Sequence, residues 1–216
     1  MNSMELRAPI MAVARHRLSI DGQGVTTLVA FHGCTLHCQY CLNAQCLRPE
    51  GVWRTVTPQD LLDEVKVDNL YFLATGGGVT FGGGEPAIRS EFIEAFCRIA
   101  PPEWHFTIET ALNVDRQHLE RLFPHIHEYI IDIKDVNTEI YRRYTGQDNQ
   151  RVFDNLQWLL SHDGMAERVV VRVPHIPDFN TDEDVHHTHD YLASIGVTRV
   201  DEFNYLRRPQ ESINNP

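Results

Sequence analysis

No uncharged apolar run in this 216-residue chain approaches the roughly 18 residues needed to cross a bilayer. The apolar stretch from Pro9 to Ala14 sits between Arg7 and Arg15 and lacks the extended core of a secretory leader. Basic charge is in deficit: 19 Lys and Arg against 30 Asp and Glu leave a net charge of −11, which disfavours nucleic acid as the main partner. Cysteine is too unevenly spread for a secreted disulfide framework, with four of the five (Cys34, Cys38, Cys41, Cys46) in one short segment. The Gly-Lys-Ser/Thr of a phosphate loop is missing, and no Ser/His/Asp or Cys/His constellation stands out. Repeats, linkers and low-complexity segments are absent too. The composition that remains is ordinary, 42% hydrophobic and 23% charged. A single domain over residues 1–216 is expected, burying roughly 70% of its unfolded surface. Cysteines without a leader are expected to be reduced thiols in a cytosol.

Apolar strand-like runs alternate with helical patterns from residue 26 onward. The strands are read at Thr26–Phe31, Val79–Phe81, His105–Glu109, Tyr129–Ile133, Arg168–Val173 and Arg199–Tyr205. Thr57-Pro58 is a capping residue followed by proline in the first helical position, a strong helix start. Ser90 is read as the cap of a helix over Glu91–Ile99, ended by Pro101-Pro102. Further helices fall near Val114–Leu122, near Ile140, over Val152–Leu160 and over Asp182–Ile195, the last closed by Gly196. Six βα units with apolar strands predict an α/β fold, a parallel sheet with helices on its outer face. Polar or glycine residues follow nearly every strand at its C-terminal end, where such folds place their sites. A curved, partial barrel gathers those ends best.

Cys34-x3-Cys38-x2-Cys41 offers three soft ligands directly after a strand, a set that selects zinc, copper(I) or an iron–sulfur cluster. Three thiolates leave one iron of a four-iron cluster open. With Cys46, His32 or His37 as a fourth ligand, the same segment would close around zinc. Gly83-Gly84 permits close backbone approach to a ligand, and Glu85 supplies a carboxylate beside it. Asp132 and Lys134 alternate along a strand and face the same side. Glu109 and Thr110 end the neighbouring strand with hard oxygen donors, and Arg172 ends another. His186, His187 and His189 lie in an acidic helix that reads as a solvated face, and Cys97 reads as a small core residue.

The cysteine triplet with Tyr40 before its last member resembles the signature of the radical S-adenosylmethionine superfamily. Asp21-Gly22-Gln23-Gly24, Gly76 to Pro86, Asp132-Ile133-Lys134 with Tyr144-Thr145-Gly146, and Arg172-Val173-Pro174 with Ile176-Pro177 narrow the resemblance to the glycyl-radical enzyme activating enzymes. The resemblance implies a partial (βα)6 TIM-like barrel, the radical SAM core. Cys34, Cys38 and Cys41 would hold three irons of a [4Fe-4S] cluster, with S-adenosyl-L-methionine on the fourth. Tyr40 and Leu42 would lie against the adenosine. Gly83, Gly84, Glu85, Glu109, Asp132, Ile133, Lys134 and Arg172 would bind the rest of the cofactor, and a monovalent cation would sit near Glu109, Thr110 and Asp132. No side chain is implied as a general acid or base.

The activity implied is reductive cleavage of S-adenosylmethionine and removal of a hydrogen from a glycine of a glycyl-radical enzyme. Flavodoxin or ferredoxin would be the electron donor, in an anaerobic cytoplasm, with the chain a monomer bound to neither nucleic acid nor membrane. The chain departs from the family at Gln23 and Thr26, where Pro and Arg are usual, and at Leu206, where well-known members place a His. Two alternatives stand beside this reading. One is a radical SAM enzyme acting on a small molecule or peptide; the other is a non-catalytic zinc-binding interaction module.

Overall fold

The computed structural model describes residues 6–18 and 20–205; Leu206 lies outside them. Eight strands form one sheet among the described residues. They are β1 (Ala8–Leu18), β2 (Val25–Phe31), β3 (Arg54–Val56), β4 (Gly78–Gly83), β5 (His105–Thr110), β6 (Glu128–Asp132), β7 (Val169–His175) and β8 (Val200–Asn204). Their order is β3-β1-β2-β4-β5-β6-β7-β8. From β2 through β8 every neighbouring pair is parallel, which gives the six expected strands of a partial TIM-like barrel. The sequence reading missed β1 and β3, which add an antiparallel flap to the β2 edge. The Pro9–Ala14 stretch is therefore strand, with Ala8 and Ile10 fully buried.

Period-2 alternation explains why these strands curve around a polar interior. Val79, Phe81, Ile108, Tyr129, Ile131, Val169 and Val171 point outward and are fully buried. They pack under the helices α1 (Pro58–Val65), α2 (Asn69–Thr75), α3 (Ser90–Ile99), α4 (Arg116–Leu122), α5 (Thr138–Thr145), α6 (Gln150–Leu160), α7 (Met165–Arg168) and α8 (Asp182–Ser194). Thr80, Thr107, Glu109, Asp132 and Arg172 take the alternate positions on the same strands. Thr57 caps α1 through a reciprocal pair with Asp60, and Thr181 caps α8 the same way with Asp184. Ser90 is the first residue of α3 rather than its cap, because its hydroxyl is bonded instead to His118 Nδ1 at 2.8 Å. Cys97 packs against the core from a partly buried position.

Two features anchor the barrel's lower half. Asp68 is fully buried and takes hydrogen bonds from Arg15 Nε (2.8 Å) and Thr27 Oγ1 (2.9 Å), with His16 Nε2 at 3.0 Å. The loop between β1 and β2 turns into the barrel, where Thr80 Oγ1 donates to the Asp21 carbonyl. Gly22 (φ +119°) packs there so closely that a Cβ would stand 2.6 Å from Thr107 Oγ1. Arg172 Nη2 holds the Ile20 carbonyl at 2.8 Å from the far side. No helix among the described residues is long and apolar enough to cross a membrane.

Candidate active site

The cysteine segment leaves the end of β2 and folds across the open end of the barrel. It is tied down on both sides. Glu85 N–H donates to the Gly33 carbonyl (2.7 Å), Gly33 N–H to the Cys46 carbonyl (3.0 Å), and Asn43 Nδ2 to the Gly83 carbonyl (2.9 Å). Opposite, His37 and Gln39 N–H groups donate to the Thr145 and Tyr144 carbonyls at the end of α5 (2.9 and 3.0 Å). The Tyr144-Thr145-Gly146 motif thus docks the cysteine loop. Gly83 adopts φ +98°, and a Cβ on Gly84 would stand 2.2 Å from the Gly33 carbonyl oxygen. Both positions need glycine because the two loops touch backbone to backbone.

Beneath this loop lies a cavity of about 970 Å³. Cys34, Cys38, Cys41 and Cys46 line it, together with Leu42, Gly83, Gly84, Glu85, Glu109, Thr110, Asp132, Lys134 and Arg172. The structure also brings in Arg17, Asp21, Asn43, Asp201, Phe203 and Tyr205, which the sequence reading did not select. Period-2 alternation along β8 was the available signal for Asp201 and Phe203. Ile133 is fully buried on the helix side of the sheet, and only its N–H, bonded to the Arg172 carbonyl at 3.0 Å, faces a neighbouring strand. Tyr40 stands outside the cavity wall. Its ring packs against Tyr144 (6.0 Å), Phe179 (5.6 Å) and Tyr205 (6.5 Å), and its hydroxyl donates to Asp178 at 3.2 Å.

Charges in the cavity are paired, one pair across strands and one at the end of β6. Arg172 Nη1 donates to Glu109 Oε1 at 2.8 Å, and Lys134 Nζ donates to Asp132 Oδ2 at 3.2 Å. The Lys134 ammonium also sits 5.8 Å from the centre of the Tyr205 ring. Burial alone would lower its pKa, but Asp132 and Cys38 facing it raise the pKa above the usual lysine value. Glu85 is 1% exposed and accepts from Ala87 N–H (3.1 Å), Thr110 Oγ1 (2.7 Å) and Ala111 N–H (2.9 Å). Even so, burial pushes its carboxyl up to about 7. These three donors fill most of the acceptor capacity that Glu85 could offer a ligand. Thr110 is likewise engaged, donating to Glu85 and accepting from Leu112 N–H at 2.9 Å.

Besides Glu85, whose carboxyl burial holds toward the protonated form, four carboxylate side chains (Asp21, Glu109, Asp132, Asp201) face three cationic ones (Arg17, Lys134, Arg172), so the wall favours a ligand of net positive charge. Burial pushes the Cys34 thiol up to about 12 and the Cys38 thiol up to about 11, the latter despite Lys134. Binding a metal there releases protons. Among the described residues, no group of three or more His, Cys, Asp or Glu side chains is arranged to hold a metal ion.

Comparison with known proteins gives one family. The Radical SAM superfamily matches residues 28–192, well over half of the chain. Over 173 residues the chain is 28% identical to the pyruvate formate-lyase-activating enzyme of Staphylococcus aureus strain USA300, covering 77% of this chain and 68% of that protein. A crystallised domain of a pyruvate-formate lyase-activating enzyme from Bacteroides vulgatus superposes with a TM-score of 0.51 at 22% identity, over 62% of this chain and 82% of that one. SuiB of Streptococcus suis bound to S-adenosylmethionine reaches 0.62 at 14% identity, over 85% of this chain and 43% of its own, a likeness of fold. With the family match running from the first parallel strand of the barrel into α8, this chain belongs to the radical SAM superfamily.

Proposed function

We propose that this protein is an activating enzyme of the glycyl-radical type, removing a hydrogen atom from a glycine of a partner enzyme. The observation that carries the reading is the opening of Cys34, Cys38 and Cys41 onto the same acidic cavity as Lys134, Asp132, Glu109 and Arg172. The likeness to an activating enzyme in Staphylococcus aureus supplies the partner class. The superfamily implies a [4Fe-4S] cluster and S-adenosylmethionine. The residues present fit both. Three thiols are the soft donors a cluster takes. The glycine turn leaves backbone where any Cβ would collide, as at Gly82, where it would stand 2.7 Å from Glu109 Oε2. An excess of carboxylates suits a ligand with a sulfonium and an ammonium group against one carboxylate.

When bound, the cluster and S-adenosylmethionine together supply reductive cleavage of the sulfonium and hydrogen-atom abstraction. The chain's own residues hold and shield. In this proposal Cys34, Cys38 and Cys41 bind iron, Lys134 reaches the methionine carboxylate, and Asp132 keeps Lys134 aimed. Arg172, fixed between Glu109 and the Ile20 carbonyl, orients the carboxylate or ribose. Gly83 and Gly84 admit the methionine backbone, with Glu85 set rigidly behind them. Leu42 lines the cavity and offers apolar surface to the adenosine, while Tyr40 acts through Tyr205 and Phe179. A monovalent cation at Glu109, Thr110 and Asp132 requires Arg172 and Lys134 to turn away, so it would enter only with the cofactor. Flavodoxin or ferredoxin serves as electron donor in a reducing cytoplasm, and the chain works as a monomer.

The deciding experiment reconstitutes the protein anaerobically and reduces it with S-adenosylmethionine present, alone and with candidate glycyl-radical enzymes. Deoxyadenosine together with a glycyl-radical resonance in the partner supports the proposal. Deoxyadenosine with a modified peptide or small molecule, and no glycyl radical, replaces it with the other radical SAM reading. A colourless protein holding zinc and cleaving nothing refutes catalysis altogether.

A further inference from the structure

Cys46 is the one thiol in the cavity wall that the proposed function does not use. It is 1% exposed, and its backbone is fixed at both ends: Gly33 N–H donates to its carbonyl (3.0 Å) and its own N–H donates to the Asn43 carbonyl (2.8 Å). Gly84 approaches so closely that a Cβ there would stand 3.2 Å from Cys46 Cβ. Cys46 lines the same cavity as Cys34, Cys38 and Cys41. Four thiols at one cavity are the complete ligand set of a [4Fe-4S] cluster, whereas three leave one iron without a protein ligand.

We propose that Cys46 is a displaceable fourth ligand, bound to the open iron while S-adenosylmethionine is absent and released when it arrives. This rests on the cluster reading above and adds a resting state to it. The step is ligand exchange: the iron–sulfur bond to Cys46 breaks, iron bonds to the methionine amino nitrogen and carboxylate oxygen form, and no electron changes hands. The released Cys46 thiolate takes up a proton. Two iron bonds replace one, and the acidic wall attracts the incoming cation, so the exchange favours the cofactor once it is present. The benefit of the resting state is protection, because an iron without a protein ligand is the first lost to oxidants.

The test compares full-length wild-type protein with Cys46→Ala and Cys46→Ser, each reconstituted anaerobically and assayed for iron and sulfide. Without S-adenosylmethionine, each is titrated with ferricyanide, and the three-iron cluster left by loss of the fourth iron is quantified by electron paramagnetic resonance. Wild type is expected to resist conversion, with Cys46→Ala converting several-fold more. Equal conversion in wild type and Cys46→Ala overturns the role of Cys46 while leaving the cluster reading intact. Failure of wild type to assemble any cluster overturns the cluster reading itself. Should the alanine variant not fold, the serine variant takes its place. Pulsed resonance of the reduced wild type in isotopically labelled water gives an independent answer: no coupling to solvent oxygen supports the proposal, and a bound solvent oxygen refutes it.

Discussion

Replacing Glu85 by glutamine isolates the free energy of one buried carboxyl. Its ordinary pKa of 4.5 moves to about 7 because burial outweighs the three hydrogen bonds it receives. Between those two values the folded chain keeps a proton that the unfolded chain gives up. The stability this group contributes is therefore complete below about pH 4.5 and is lost as the pH rises through 7, by about 3 kcal/mol in all. Glutamine cannot ionise, so Glu85→Gln abolishes that loss. It still accepts from Thr110 and Ala87, but it turns an amide N–H toward the N–H of Ala111, which costs about 1 kcal/mol at every pH. The variant is expected to be the less stable protein near pH 5 and the more stable near pH 8, with the two curves crossing between. Asp135, pushed up to about 6 by burial, and Glu109, also raised by burial, titrate in both proteins and drop out of the difference. Urea unfolding of the cluster-free, reduced protein at several pH values measures it. Parallel stability curves for wild type and variant would refute the assignment of a proton to Glu85.

Lys134→Ala should weaken S-adenosylmethionine binding about 10- to 100-fold, the loss of one charge-assisted contact, with iron content unchanged; equilibrium binding to the reconstituted protein checks this, and an unaltered Kd removes Lys134 from the site. Gly84→Ala drives a methyl group against the Gly33 carbonyl, which backbone cannot relieve cheaply, so a destabilisation of about 1–3 kcal/mol and poorer iron loading are expected by thermal melting and iron assay. Arg15→Ala leaves buried Asp68 with His16 and Thr27 alone, and a loss of stability is expected, tempered because Arg15 is itself partly exposed. The Arg15 guanidinium holds the Asp68 carboxyl below the usual range, so this stability is present at neutral pH and lost as acid protonates it. The variant should accordingly show a shallower acid limb in chemical unfolding, and an unchanged one would count against the pair.

The parallel barrel was legible because its strands carry unbroken outward-facing runs such as Tyr129, Ile131 and Ile133, buried under helices whatever the details of packing. The antiparallel flap was not. β1 mixes Arg15, His16 and Arg17 with its apolar residues, and β3 has only three residues, too few for periodicity to register. Linear motifs placed the cysteines, the glycine turn and the Asp132–Lys134 pair at one cavity. What a linear motif does not encode is how each group is already spent. Glu85 is held by its neighbour Ala87 and by Thr110 and the Ala111 N–H, which are distant in sequence, and Arg172 grips both Glu109 and the backbone of Ile20. Tyr40 turns aside into an aromatic group whose other members, Tyr144, Phe179 and Tyr205, come from far down the chain.

The turn between the first two strands makes the barrel a cup with a floor. Ile20, Arg172 and Asp201 border both the thiol-lined cavity above and a second hollow below, with Gly22 and Gln23 facing only the lower one. The cysteine segment and the end of β8 both border the cavity, so a partner seated there would shield its contents from solvent. A bulkier residue at Gly22 would press on Thr107 and lift the floor, reaching the chemistry from below while touching none of the groups that perform it.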